Sequence, residues 1–122
     1  MPARCLIVDD NGSFLEAASV LLERQGLTIA GVASTGAEAL REVERLKPDV
    51  VLVDLMLGRE SGFDVARRLV DEDGNGPTVI LISTHSEADF ADLISATRAA
   101  GFVSKSELSA SAIERILAGH AG

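Results

Sequence analysis

Five side chains in this sequence have the types and spacing to do chemistry together. Asp9 and Asp10 stand side by side after the apolar run Cys5–Val8, and Asp54 ends the run Val50–Val53. Ser83 follows Thr78–Ile82, with Thr84 and His85 next, and Lys105 follows Gly101–Val103 after Ser104. Two adjacent like charges need either open water or a cation. Mg²⁺ takes oxygen ligands and uses one to three carboxylates, which Asp9 or Asp10 with Asp54 can supply. A carboxylate can also act as a nucleophile and form an aspartyl phosphate. Lys105 would then supply positive charge and Ser83 a hydroxyl for the phosphoryl oxygens. Taken singly, each group has a plain alternative: a solvated strand end, a helix cap or a surface charge. As a set they are complementary.

The elements that must position these groups follow from periodicity. The runs at 5–8, 27–32, 50–53, 78–82 and 101–103 are short and rich in β-branched residues, which predicts strands. Those at 5–8, 50–53 and 78–82 are nearly continuous, as in strands buried on both faces of a parallel sheet. Amphipathic helices are predicted between them. Phe14–Arg24 turns Leu15, Ala18, Leu21 and Leu22 inward. Thr35–Leu46 opens on a capping box, Thr35 to Glu38, and stops before Pro48. Phe63–Val70 points Arg67 and Arg68 to solvent. Glu87–Ala99 buries Phe90, Leu93, Ile94 and Thr97. Ser109–Ala118 buries Ile113, Ile116 and Leu117, and Gly119 ends it. The stretch "DEDGNGP" at 71–77 is the most loop-like.

This is a βα unit repeated five times, hence an α/β architecture with a parallel sheet and helices on both faces. In such a sheet ligands bind at the carboxyl ends of the strands, where the five groups fall.

Composition narrows the function. The 122 residues are the size of one domain, 47% hydrophobic and only 3% aromatic, so the core must be aliphatic. A formal net charge of −8 argues against a nucleic-acid surface and suits a cation site or a basic partner. Cys5 is the single cysteine, so no intrachain disulfide forms, and a reduced cytoplasmic compartment is the simplest expectation. No run of 18 apolar residues exists to span a membrane, and the N-terminus has no signal-peptide pattern.

Over essentially its whole length the chain resembles the receiver domain of bacterial two-component response regulators, with a tail most similar to the NarL-like branch. The residues that carry the resemblance are "CLIVDDNGSF", "VLVDLMLGRESGFDV", "ILIST" and "GFVSKSEL". The resemblance implies a flavodoxin-like three-layer sandwich with sheet order 2-1-3-4-5, formed by residues 1–122 as a single domain. It implies that Asp54 accepts a phosphoryl group from a sensor histidine kinase. Asp9, Asp10 and Asp54 would bind Mg²⁺ together with the backbone carbonyl of Met56, one of Asp9 and Asp10 ligating directly and the other through water. Lys105 would pair with the phosphate. Ser83 and Phe102 would form the switch, Met56 and His85 occupy positions that tune dephosphorylation, and Thr84 would narrow phosphate access and slow phosphorylation. Phosphorylation would reshape the face of the fourth helix, fifth strand and fifth helix for a partner or a homodimer. The domain itself would contact neither nucleic acid nor membrane.

Leu57 and Gly58 depart from the family's frequent Met-Pro, which predicts a more mobile loop. Thr84 is larger than the usual Ala or Gly. Three other functions are weighed. A Mg²⁺-dependent phosphatase of the haloacid-dehalogenase type normally has a second aspartate two residues after its nucleophile, where Met56 stands here. A nucleotide-binding module would need a glycine-rich phosphate loop, and none is present. A pseudo-receiver would not need the full acidic set. Gly119–Gly122 reads as a frayed end, so a stand-alone receiver is expected ahead of a fragment of a regulator with an effector domain.

Overall fold

Continuous burial of three strands organises the molecule. A computed structural model describes residues 3–70 and 76–121; residues 71–75 of the loop-like stretch lie outside it, as do Met1, Pro2 and Gly122. Strands β1 (Arg4–Val8), β2 (Thr28–Ala33), β3 (Val50–Asp54), β6 (Thr78–Ser83) and β7 (Gly101–Ser104) form one parallel sheet in the order β2-β1-β3-β6-β7. Strands β4 (Met56–Leu57) and β5 (Glu60–Ser61) pair only with each other, so the main sheet has the expected 2-1-3-4-5 order. The helices are α1 (Gly12–Arg24), α2 (Gly36–Leu46), α3 (Gly62–Leu69), α4 (Ala91–Ala96) and α5 (Ala110–Ala121). This is the doubly wound, flavodoxin-like fold.

The apolar runs need two covered faces, and two clusters provide them. Cys5, Ile7, Val50, Leu52, Ile80 and Ile82 pack under α1 and α5, against Leu15, Ala18, Leu22 and Ile113. Leu6, Val8, Val51, Val53, Val79 and Leu81 pack under α2 and α3, against Ala39, Val65, Ala66 and Leu69. Alternate residues of one strand therefore serve opposite layers.

The predicted capping box forms with a small change. Glu38 N–H donates to Thr35 Oγ1 at 3.1 Å, while Glu38 Oε1 accepts from Ser34 N–H at 2.8 Å, one residue before the cap. Four expectations need correction. The fifth helix, α5, continues through Gly119 to Ala121 instead of ending at Gly119. The fourth helix does not run from 87 to 99: a 3₁₀ turn at Glu87–Phe90 precedes α4, and Arg98 takes a φ of +60° beyond it. Leu93 faces solvent at 52% exposure, because the 3₁₀ turn rotates the apolar stripe away from Leu93 and leaves Ile94 and Thr97 inward. Leu21 is also outward, at the edge of the stripe that buries Leu22.

The loop after Asp54 has a definite form that periodicity did not reveal. Met56 pairs with Ser61 and Leu57 with Glu60, leaving Gly58 and Arg59 as a two-residue turn. Gly58 has φ +59°, which proline, locked near −65°, cannot adopt. The missing proline thus marks a tight hairpin. Gly62 then enters α3 against the chain: a Cβ there would lie 1.8 Å from the Asp54 carbonyl oxygen.

Candidate metal and phosphoryl site

Sheet register alone brings four of the five groups to one edge. Val8 pairs with Val53, Asp54 with Ile82, and Ser83 with Ser104, so Asp9, Asp54, Ser83 and Lys105 stand at adjacent strand ends. Asp9 N–H donates to Ala33 O at 3.0 Å, which carries the β1–β2 pairing one residue further and buries the Asp9 side chain completely. Asp10, the next residue, faces solvent. The adjacent acids are therefore unequal: one is a wall of the pocket and the other lies at its mouth, near Gly58.

One oxygen from each of Asp9, Asp10 and Asp54 lies within 4.8 Å of the others. Asp9 Oδ1 accepts from Asn11 N–H at 2.9 Å, and Asp54 Oδ1 accepts from Met56 N–H at 3.2 Å. These bonds fix the carboxylates while leaving the second oxygens to face the pocket. Lys105 answers them. Its Nζ lies 2.5 Å from Asp9 Oδ2 and donates to Asp54 Oδ2 at 3.2 Å. Asp9 Oδ2 is buried without a hydrogen bond of regular geometry, so charge alone meets it. The donor set fits a hard divalent cation: three carboxylates converge, and a buried oxygen lacks a full complement of hydrogen bonds.

The charges are also held out of balance. Burial, with the nearby Asp9 carboxylate, pushes the Asp54 pKa upward against the opposing pull of the Met56 N–H and Lys105. Burial alone would lower the Lys105 pKa, but its pairing with Asp9 and Asp54 outweighs this and raises it. The ammonium is thus firmly protonated beside a carboxylate that is costly to ionise.

The remaining predicted residues surround this centre at different depths. Ser83 is buried; its Oγ accepts from His85 N–H at 3.0 Å and lies 3.5 Å from His85 Nδ1, a long contact to the ring of the same residue. Thr84 is exposed, as is His85, whose ring meets the Phe90 ring edge-on at 5.6 Å. Met56 projects to solvent at 58% exposure. Phe102 is half-buried against the α2–α3 layer and lines a groove of about 520 Å³ with Thr84, Ser86, Ser104, Glu107 and Arg115.

Two contacts escaped the sequence reading. Glu60 Oε1 accepts from Gly36 N–H at 2.9 Å and ties the hairpin to the start of α2. The Phe14 ring lies 4.2 Å from Lys105 Nζ. Phe14 had a signal, as an aromatic on the first turn after the acidic pair, but that spacing equally describes a core residue.

Both the sequence and the fold have relatives among known proteins. The response regulator receiver domain family matches residues 5–117. The DNA-binding response regulator MtrA of Mycobacterium tuberculosis is 38% identical over 89 residues, 73% of this chain and 38% of that protein. The chain spans half or less of the length of the curated relatives it matches. A LuxR-family two-component response regulator from Aurantimonas superposes with a TM-score of 0.85 at 31% identity, covering 98% of this chain and 87% of that one. A signal receiver domain assigned to the response regulator NarL of M. tuberculosis gives 0.79 at 28% identity, covering 94% and 96%.

Proposed function

This chain belongs to the response regulator receiver domain family, and from that premise we propose that Asp54 accepts a phosphoryl group from a phosphohistidine of a sensor kinase. The observation that carries the proposal is the convergence of Asp9, Asp10 and Asp54, with the Lys105 ammonium bonded to Asp54 Oδ2. An Asp54 oxygen attacks phosphorus, the O–P bond forms as the P–N bond breaks, and the imidazole leaves with a proton from solvent. Asp9, Asp10, Asp54 and the Met56 carbonyl would hold Mg²⁺, which supplies positive charge against the phosphoryl oxygens. Lys105 donates to a phosphoryl oxygen in place of the Asp54 oxygen that now bridges to phosphorus in the acyl phosphate. Ser83, giving up its long 3.5 Å contact with His85 Nδ1, donates to a second.

Turning Ser83 toward the phosphoryl group draws on the segment it begins, through the His85 N–H that it holds. That segment leads into α4 and lies beside Phe102. The proposed output is therefore a population shift of the face formed by α4, β7 and α5, with Phe102 moving inward. Its readers would be an output protein, an effector domain or a second copy of the chain. Met56 stands where a phosphatase of the competing type would need an acid, which disfavours turnover of small phosphoesters.

Intact-mass measurement after incubation with Mg²⁺ and acetyl phosphate tests the proposal. The expected result is one labile phosphoryl group on the native chain, none on Asp54→Asn, and none when EDTA is present. Repeated hydrolysis of small phosphoesters would indicate the phosphatase instead. An unmodified native chain would indicate partner binding without phosphate.

A further inference from the structure

Among the described residues, the Lys105 ammonium stands close to two acids and one aromatic ring. The ring is that of Phe14, whose centroid lies 4.2 Å from Nζ. Phe14 stands on the first turn of α1, where its main-chain N–H donates to Asn11 Oδ1 at 3.2 Å. Its half-buried ring packs on the cluster between the sheet and the α1–α5 layer. The ring is thus anchored both by the helix cap and by the core. The Lys105 side chain above it is only 13% exposed.

We infer that Phe14 is a positioning residue for phosphoryl transfer, its ring keeping the Lys105 ammonium over Asp54 and closing that side to water. The inference rests on the reading of Asp54 as phosphoacceptor. The physical reason is the different behaviour of the three neighbours. A lysine ammonium is a strongly hydrated point charge on a flexible four-carbon stem, so it stays in a pocket only while something there replaces its water. Asp9 and Asp54 do so as anions, but their demands change during the reaction. Once Asp54 carries the acyl phosphate, the phosphoryl oxygens and Asp9 compete for the same ammonium. The aromatic face carries a fixed negative quadrupole that attracts the cation equally before and after transfer. Of the three, it is the one that the reaction leaves unchanged.

Substitutions at Phe14 separate the π face from mere bulk, because the capping bond uses the main chain and survives any of them. Phe14→Leu keeps an apolar side chain and removes the ring; Phe14→Met does so with an unbranched one. Both are expected to slow phosphorylation by acetyl phosphate roughly three- to tenfold, whereas Phe14→Tyr stays within about twofold of the native rate. A second readout needs neither metal nor phosphate. In the metal-free native protein, NMR should show the Lys105 Hε protons shifted upfield by the ring current, with the shift kept in Phe14→Tyr and lost in Phe14→Leu. Native-like rates in Phe14→Leu and Phe14→Met would overturn the inference, as would equal slowing in Phe14→Tyr. Unshifted Hε protons in the native protein would overturn it without any variant. Failure of the native chain to gain a phosphoryl group would instead remove the phosphoacceptor reading, with the NMR shift still reporting the ring–ammonium contact.

Discussion

The acidic edge and the α4 segment lie side by side yet are built in opposite ways. At the acidic edge the three aspartates stand at or just past the ends of strands whose central residues are 0% exposed, and Asp9 itself is fully buried. The α4 segment begins in a 3₁₀ turn, has no buried residue within the helix, and exposes Leu93. Thr97, just beyond it, is buried, with its hydroxyl bonded to the Ile94 carbonyl at 2.8 Å. The difference teaches how a small domain can hold a reacting centre still while leaving a neighbouring surface cheap to rearrange. Rigidity follows packing density, and segments with few buried contacts reorganise at low cost.

The strongest way to break this contrast is to disturb the backbone under the acids. Gly62→Ala would set a Cβ 1.8 Å from the Asp54 carbonyl oxygen, a clash with main chain that no side-chain rotation relieves. The expected loss is about 3 kcal/mol or more in urea unfolding, together with loss of phosphorylation.

A smaller effect, of opposite sign, comes from removing a charge the edge strains to hold. Burial and Asp9 raise the Asp54 pKa above its ordinary 3.8, so the folded state binds the proton more tightly than the unfolded state does. Stability from this group is therefore present at low pH and lost as pH rises through the folded-state value. Asp54→Asn removes the penalty and should raise the urea midpoint of the metal-free protein at neutral pH. Urea midpoints measured across the acid range should show the two proteins converging toward pH 3.8 and separating above it. A constant gap would mean that another group controls the titration.

The smallest effect sharpens the other side of the comparison. Leu93→Ser removes an exposed apolar side chain and should change stability by no more than about 0.5 kcal/mol. A larger loss would show α4 to be as firmly packed as the strands.

The sequence revealed some of this more readily than the rest. Strands were legible because continuous β-branched runs have few alternatives, and the strand ends then located Asp9, Asp54, Ser83 and Lys105. The hairpin was not legible, since two-residue strands have no periodicity to read. Leu93 was misplaced because its helix is too short for its 3.6-residue stripe to be set by sequence spacing alone. Gly58 was read as loosening, when its positive φ is what closes the turn.

Local chemistry by itself determined the alternation of strand and helix, the acidic character of one sheet edge, and the residue types available there. Hydrogen bonding and side-chain periodicity act over a few residues, so they are written along the chain. Which adjacent aspartate is buried, how Lys105 divides itself between two acids, and that Phe14 lies against its ammonium were decided only by tertiary structure. Those facts depend on strand register and on the approach of residues up to 96 positions apart, and Coulombic and π interactions are set by distances in space.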